Sequence, residues 1–297
     1  MTPPQLVDLC ASAYLRELAV STELGWSAHN PSIAHGPFGY CCIVRSANYV
    51  YRNGNFVCTS PDQMVRTTNY FCTMDDDLNV VSMTPIDESW VRRPILFPWV
   101  QNVEDYRLYW DGGWRAIGTI REHREDGLPQ MARDRLGVLD DGTVYVTERS
   151  IMRHTENTCE KNWVPIGSTD TFLYSAHPTR YVLPDGTMSE PTENPRADFP
   201  NTLRGGSQLL PCKGGWLAVT HEVTWQPTRH YWHRFVRYNH DLHLVAWSEP
   251  FFFLSPGTEF AAGLTWWDGN YVVSFGNNEE RALLAIVPTH EVDVLIR

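Results

Sequence analysis

Two adjacent carboxylates, Glu104 and Asp105, precede Arg107 at the start of the alternating segment EDYRLYW. Cleavage or transfer of a glycosidic bond needs a proton donor at the leaving oxygen, with a second carboxylate or another nucleophile. We predict that Asp105 is this donor and that Glu104 and Arg107 contact the substrate. The alternative is an Asp105–Arg107 ion pair that only holds the strand in place.

Four further side chains near predicted strand ends could bind a phosphate group. Phosphate accepts charge-assisted hydrogen bonds and matches the planar fork of arginine. Lys161 is notable because it lies between Glu160 and an apolar segment that begins with Asn162 and Trp163. The alternative is ordinary ion pairing with the excess acidic residues. We predict a phosphate site formed by Arg121, Arg149, Lys161 and His177.

A pattern repeated five times would bring these residues together. In each copy polar residues lead into a short apolar run, a turn follows, and an aromatic residue opens an alternating strand. The turn aromatics are Tyr40, Trp114, Phe172, Trp216 and Tyr271, spaced by 44 to 74 residues. Repeats of about 40–50 residues, each a small antiparallel sheet, are typical of a β-propeller. The sequence therefore predicts an all-β fold, a five-bladed β-propeller.

The polar leaders of the five copies are candidates to meet in one pocket. In a propeller the innermost strand of every blade lines a central channel, so residues at one end of these strands converge. The alternative is that the leaders cap strand ends and satisfy backbone groups. The leaders are His29-Asn30, Glu104-Asp105-Arg107, Glu160-Lys161-Asn162, Arg204 to Ser207, and Glu259. We predict that Asn30, Ser207 and Glu259 contact the substrate.

The chain ends are predicted to complete the ring. We assign residues 1–25 to an N-terminal helix packed on the propeller and residues 26–297 to a single propeller domain. The apolar residues of 4–20 share a helix face; they are Leu6, Leu9, Cys10, Tyr14 and Leu18. The C-terminal EVDVLIR segment is predicted to pair back and close the ring. Asn53-Gly54 predicts a hairpin turn, and residues 189–201 form a polar, Pro-rich connector.

Composition excludes several classes of protein. A net charge of −11 and a pI near 5.4 argue against a surface that binds nucleic acid. Seven cysteines, with no CxxC and no metal-ligand spacing, predict free thiols and no metal site. We find neither a signal peptide nor a membrane anchor, so we expect a cytoplasmic protein, a monomer or a small homo-oligomer. Its partner is expected to be a small-molecule or oligosaccharide substrate.

The motifs resemble those of glycoside hydrolase family 130 (GH130), five-bladed propeller enzymes that include mannoside phosphorylases and hydrolases, and of their mannosyltransferase relatives. The family's asparagine-proline motif falls on Asn30-Pro31, and its E-D-P-R motif falls on residues 104–107. Its lysine and histidine fall on Lys161 and His177. Tyr106 replaces the proline of the motif, and residues 220–238 have no placed counterpart.

The resemblance implies roles for these residues. Asp105 would be the single general acid, acting directly or through a sugar hydroxyl, and the four cationic candidates would hold phosphate or the phosphate of a sugar nucleotide. Asn30, Asn162 and aromatic residues such as Trp163 would contact sugar hydroxyls and faces. No cofactor is expected beyond inorganic phosphate or a nucleotide-sugar co-substrate.

Three functions follow from these residues. The first is glycosyl transfer or phosphorolysis on a β-mannoside-like substrate. The second is hydrolysis on the same scaffold, which needs a second carboxylate such as Glu160 or Glu259. The third is a non-catalytic propeller that binds a glycan or a protein. Asn30 cannot act as the base that other five-bladed glycosidases have in their first blade, and this favours a phosphate-dependent mechanism over hydrolysis.

Overall fold

The computed structural model of the protein describes residues 2–52, 55–152, 159–192, 203–225 and 228–296. The predicted Asn53-Gly54 turn and most of the predicted 189–201 connector lie outside these ranges. Strands dominate the described residues, so the predicted all-β class is confirmed. Within these ranges no helix is long and apolar enough to span a membrane. The seven cysteines are free thiols, as predicted.

The described residues of the first half of the chain form one short helix, one 3-10 turn (Ser89–Val91) and twelve strands. They are α1 (Leu6–Leu9), β1 (Tyr14–Glu17), β2 (Ser27–Gly36), β3 (Gly39–Ala47), β4 (Tyr49–Arg52), β5 (Asn55–Cys58), β6 (Val65–Met74), β7 (Val80–Asp87), β8 (Val100–Gln101), β9 (Glu104–Trp110), β10 (Trp114–Ile120), β11 (Gln130–Val138) and β12 (Val144–Met152).

The second half contains the remaining strands and a C-terminal helix. They are β13 (Val164–Pro165), β14 (Phe172–Ser175), β15 (Arg180–Val182), β16 (Arg204–Gly205), β17 (Leu210–Cys212), β18 (Gly215–Trp225), β19 (Arg229–Tyr238), β20 (Leu244–Trp247), β21 (Glu259–Trp267), β22 (Asn270–Asn277), β23 (Arg281–Pro288) and α2 (Thr289–Leu295).

Most strands can be grouped into five antiparallel units, numbered here in chain order, of which the first two share one sheet through the parallel pair of β7 and β12. The units are β2-β3-β6-β7, β9-β10-β11-β12, β13-β14-β15, β16-β18-β19-β20 with β17 on β18, and β21-β22-β23 with β1. Each leader lies at the start of the first strand of its unit or just before it. The first strands β2, β9 and β21 pack against one another, so these strands lie at the centre of the molecule.

The hydrophobic core consists mainly of five clusters, each between two neighbouring units. Each cluster contains residues of both units, for example Ile43 and Leu108, Ile117 and Phe172, Leu173 and Ala218, Phe235 and Phe275, and Leu284 and Val44. Because these clusters run from the first unit to the fifth and back, the units follow one another in a closed ring. That this ring is a five-bladed propeller stays a prediction.

The two chain ends differ from the sequence-based prediction. The helix predicted over 4–20 ends at Leu9, and Tyr14–Glu17 forms β1, which pairs antiparallel with β23 from Tyr14↔Ile286 to Glu17↔Leu283. The C-terminal segment predicted to be a closing strand is instead helix α2. The edge of β23 presents unpaired N–H and C=O groups, and pairing with β1 satisfies them.

A layer of hydrogen bonds crosses the central channel. Ser32 Oγ donates to Ala262 O (2.9 Å) and accepts from Leu108 N (2.9 Å). Gln208 Nε2 donates to Ile33 O (2.8 Å), and Gln208 Oε1 accepts from Leu264 N (3.1 Å). These residues are buried. The layer, called the channel floor below, therefore separates the two mouths of the ring.

Candidate functional site

Three leaders turn their side chains inward through the same backbone conformation. Asn30, Asp105 and Asn162 have φ values of 45°, 51° and 61°. Asn and Asp tolerate this left-handed region better than other non-glycine residues. Asn30 and Asp105 also lie where the pairing register shifts, on β2 and β9. Such bulges re-aim side chains, and here they bring Asn30 and Asp105 into contact.

Asp105 lies at the centre of a buried polar cluster. Its Oδ1 accepts hydrogen bonds from Asn30 Nδ2 (2.9 Å) and Arg45 Nη1 (2.8 Å). Arg45 Nη2 also bonds Glu104 Oε1 (2.8 Å), so one guanidinium bridges two carboxylates. The Asp105 side chain keeps 25% of its surface exposed, whereas that of Arg45 keeps 4%. Asp105 can therefore contact a ligand, and Arg45 supports it from behind.

These neighbours determine the charge of Asp105. Burial raises the pKa of its carboxyl, but Arg45, Arg107 and the Asn30 hydrogen bond outweigh burial and hold the pKa well below its usual range. Asp105 is therefore ionised in the absence of ligand. In this state it is a proton acceptor, and it becomes a donor only when a ligand changes its surroundings.

Arg107 has a different position from the one predicted. It is fully buried, and it donates to Asp105 O (2.7 Å), Asn162 Oδ1 (3.0 Å) and Gly206 O (3.1 Å). Its guanidinium also lies 4.9 Å from the centre of the Phe260 ring. These bonds tie the second, third and fourth units together, and they position Asp105 and Asn162.

Cations border the Asp105 cluster on the side of the third and fourth units. Lys161 and Arg204 line a cavity of about 320 Å³ together with Asn162. Among the described residues neither Lys161 nor Arg204 forms an ion pair. Arg121 lies nearby, with its Nε 3.4 Å from Glu104 Oε2. Although Lys161 retains solvent contact, crowding by protein atoms lowers its pKa, and Arg121 lowers it further.

Other predicted site residues have structural contacts. Arg149 lies on the outermost strand of the second unit, where it bonds Asp134 and Glu88, outside the cavity lined by Lys161. Trp163 is buried in the core and donates its indole N–H to Glu160 (3.0 Å). His177 lies in the turn after β14 and is not among the described residues that line this cavity.

Ser207 and Glu259 are also buried. The Ser207 hydroxyl donates to Gln208 O (3.1 Å) and accepts from Val219 N (2.9 Å). The Glu259 carboxylate accepts from the backbone N–H groups of residues 253, 254 and 255 and from the side chain of Asn277. Both side chains therefore stabilise local backbone, and their role in substrate binding stays a prediction.

Several residues at this mouth were not predicted as site residues. Arg45 lies at the end of the apolar run CCIVR, and a charge at the end of a buried run could have indicated it. Glu279 bonds His29 Nε2 (3.0 Å) and accepts from Tyr49 OH (3.0 Å) beside Arg45. The described residues contain no group of three or more His, Cys, Asp or Glu side chains placed to hold a metal ion.

Segment 220–238 belongs to the fourth unit, on β18 and β19. The Arg229 guanidinium lies 4.7 Å from the ring centre of Tyr231 and 5.4 Å from that of Trp225. Burial is the main cause of the raised pKa of the Tyr231 hydroxyl, which is also close enough to Asp105 and Arg204 for their charges to act on it. Residues 226 and 227 lie outside the described ranges.

No protein-family model matches the sequence, and no curated protein sequence matches it. The fold is shared with solved structures. β-1,2-Mannobiose phosphorylase from Listeria innocua, in complex with β-1,2-mannobiose, has a TM-score of 0.65 at 11% identity and covers 96% of this chain and 99% of its own.

Two further structures show the same likeness. One has a TM-score of 0.60 at 12% identity and covers 90% of this chain and 85% of its own. It comes from a report that the GH130 family of mannoside phosphorylases contains glycoside hydrolases that target β-1,2 mannosidic linkages in Candida mannan. A mannose phosphorylase from Leishmania mexicana, in complex with phosphate ion, has a TM-score of 0.57 at 11% identity, covering 94% and 88%. The predicted resemblance is thus confirmed at the level of the fold.

Proposed function

We propose that the protein is a glycoside phosphorylase that acts on a β-mannoside-like substrate, with Asp105 as its acid–base residue. One observation carries the proposal: the accessible carboxylate Asp105 is linked through Arg107 to Asn162. Asn162 lines a cavity whose cations, Lys161 and Arg204, have no carboxylate partner among the described residues. Unpaired cations at a concave site favour an anionic ligand. The shared fold of mannoside phosphorylases adds support by analogy.

The proposed reaction exchanges two bonds at the anomeric carbon. A phosphate oxygen forms a bond to this carbon as the glycosidic C–O bond breaks, and the leaving oxygen takes a proton. Asp105 gives that proton, directly or through a sugar hydroxyl. The proton lost from phosphate later restores Asp105, so the products are a sugar phosphate and a free acceptor hydroxyl.

Phosphate binding would also prepare Asp105 as the donor. The carboxyl is ionised without ligand because Arg45 and Arg107 outweigh the effect of burial on its pKa. A phosphate beside Lys161 and Arg204 brings negative charge close to Asp105, and a like charge raises a carboxyl pKa. Bound phosphate would therefore favour protonation of Asp105 when the substrate is in place.

Hydrolysis is less well supported by the contacts. It needs a second carboxylate with room for water. The two carboxylates considered for this role are buried and engaged: Glu160 accepts from the Trp163 indole, and Glu259 accepts from three backbone N–H groups. A sugar nucleotide would bring the same charge as phosphate, so a transferase is the alternative that an experiment must separate.

We would test the proposal by thermal unfolding with inorganic phosphate, mannose 1-phosphate and GDP-mannose, followed by assays of phosphate release and consumption. A ligand that binds only the folded state raises the melting temperature. We expect phosphate and mannose 1-phosphate to stabilise the protein, and Lys161→Ala to abolish the effect. Lys213→Ala is the matched control, because Lys213 is the other lysine of the chain and is exposed.

Asp105→Asn separates catalysis from binding. It keeps the shape and the Asn30 contact but cannot carry a proton, so turnover should fall by at least about 10²-fold while phosphate still stabilises the protein. Stabilisation by GDP-mannose alone would indicate a transferase. If no phosphate compound shifts the melting temperature, the proposal is wrong and a binding propeller remains.

A further inference from the structure

A second cavity lies at the other mouth of the ring. It has a volume of about 370 Å³, within the range of about 300–1,000 Å³ that ligand pockets occupy. It is called the distal cavity here. Asp105 and Trp110 lie at opposite ends of β9, about 16 Å apart at roughly 3.3 Å per residue. The channel floor lies between them, so the distal cavity is separate from the Asp105 cluster.

The lining of the distal cavity is aromatic and uncharged. Its walls include His35, Tyr40, Trp110 and Trp266, and no Asp, Glu, Lys or Arg lines it among the described residues. Trp266 keeps 54% of its surface exposed. A phosphate or a charged peptide would find no counter-charge here, so the chemistry favours a neutral ligand with an apolar face.

The cavity also contains polar groups without partners. Thr265 is only 2% exposed, and within the described part of the chain its hydroxyl makes no hydrogen bond, although it lines the cavity. The exposed Ser168 lines the same cavity. An occupant that covers the Thr265 hydroxyl without bonding it would cost free energy, so an occupant should supply hydrogen bonds as well as an apolar face. A purely apolar occupant would leave the Thr265 hydroxyl unsatisfied.

Part of the aromatic wall, formed by His35, Tyr40 and Trp110, is already held in place. The Tyr40 hydroxyl donates to Trp266 O (3.0 Å), and the Tyr40 ring lies 4.6 Å from the His35 ring. Trp110 packs edge-on against Trp114 at 5.2 Å. A wall that needs no rearrangement lowers the entropic cost of binding.

We propose that the distal cavity is a second, non-catalytic carbohydrate-binding site, which takes a neutral pyranose unit of an oligosaccharide. A pyranose has an apolar C–H face for Trp266 and hydroxyls for Thr265 and Ser168. This site is independent of the proposed phosphorolysis, because it shares no residue with the Asp105 cluster.

The test is a calorimetric titration of the Asp105→Asn protein with β-1,2-mannobiose and with cellobiose. We expect one binding event that Trp266→Ala weakens at least tenfold, in addition to any binding at the Asp105 mouth. Thr265→Val, which keeps the shape and removes the hydroxyl, should weaken the same event about fivefold. Trp90→Ala is the matched control, since Trp90 is 67% exposed and lies elsewhere.

The outcomes separate the two proposals. If the protein has no phosphorylase activity but the Trp266-dependent event is present, the distal site stands and the proposed function fails. The distal site is refuted if neither disaccharide binds or if Trp266→Ala titrates like its parent. It is also refuted if sedimentation shows a dimer that Trp266→Ala converts to a monomer, because the cavity would then be an interface between copies.

Discussion

At the scale of single residues, Arg45 controls the charge at the centre of the site. Its guanidinium bonds both Asp105 and Glu104 from a position that solvent barely reaches. An ion pair that loses one buried partner leaves an uncompensated charge, which is more costly than the net worth of the pair. Arg45 therefore contributes both to the ionisation of Asp105 and to the stability of the ring.

Replacing Arg45 with methionine tests this contribution. Arg45→Met should lower the free energy of unfolding at pH 7 by about 2–4 kcal/mol, as measured by urea denaturation. Because the folded pKa of Asp105 is depressed, the pair stabilises the fold above the unfolded pKa, about 4, and that stability is lost as pH falls below it. The difference between variant and parent should therefore shrink in acid.

The matched control is Arg281→Met, which removes the exposed pair with Glu17. Exposed pairs contribute about 0–1 kcal/mol, so this variant should stay close to the parent. Equal losses in the two variants would show that Arg45 has no special role.

Some of the residues at the site could be predicted from the sequence, and others could not. Asn30, Asp105 and Lys161 were predictable because polar residues at the start of repeated strands converge in a ring. Arg45 was not predicted, since its contact with Asp105 depends on how β3 of one unit faces β9 of the next. Arg149 shows the converse: it lies near the end of a strand, but this strand, β12, is the outermost of its unit.

At the scale of elements, close approach of the central strands depends on a glycine. A Cβ at Gly263 of β21 would lie 2.3 Å from Ile33 N and 2.9 Å from Ile33 O of β2. These are backbone atoms of a buried strand, so they cannot move aside cheaply. Gly263 lies beside the register shift in β21, at the centre of the ring.

Gly263→Ala should therefore destabilise the protein by about 2–3 kcal/mol or more through overpacking. Gly113→Ala is its control, because a Cβ at Gly113 has nothing within 4 Å. We expect the control to change the free energy of unfolding by less than about 1 kcal/mol. Thermal or urea unfolding of both variants measures the difference, and equal stabilities would contradict the close-approach interpretation.

The repeat predicted from local pattern alone the strand that the turn aromatic opens in each of the five copies. The end segments were less predictable, because their structure depends on a partner distant in sequence. Residues 14–17 have helical apolar spacing, yet they become a strand because β23 offers a free edge. Tertiary pairing outweighs weak local propensity there.

At the scale of the whole molecule, buried histidines link stability to pH. His221 and His233 are buried on the two paired strands β18 and β19. Burial lowers the pKa of both, that of His233 from 6.5 to about 3, so they are neutral in the folded protein. Burial raises the pKa of Glu88 and Glu259. Protonation of these carboxyls in acid therefore favours the folded state, opposite to the effect of the histidines.

His233→Phe isolates one of these histidines. Between pH 6.5 and about 3 the unfolded chain binds a proton that folded His233 does not, so the parent loses stability as pH falls through this window. At pH 5 the loss from His233 is roughly 2 kcal/mol. The variant should match the parent within about 1 kcal/mol at pH 7.5 and exceed it increasingly in acid.

Urea unfolding at pH 7.5, 6 and 5 measures this difference, with His240→Phe at an exposed turn as control. Within the described residues neither ring nitrogen of His233 has a hydrogen-bond partner, so phenylalanine removes no bond there. Parallel pH profiles for His233→Phe and the parent would contradict the prediction.

The channel floor closes the ring behind the Asp105 cluster. Because buried hydrogen bonds cross the channel, we expect a ligand that binds beside Asp105 to enter and leave by the same opening. Under the proposed function, a site with a single opening admits the end of a glycan chain and excludes the middle of the chain. A single opening also fixes the order of binding and release. The ligand that binds deeper must bind before the other ligand and dissociate after it.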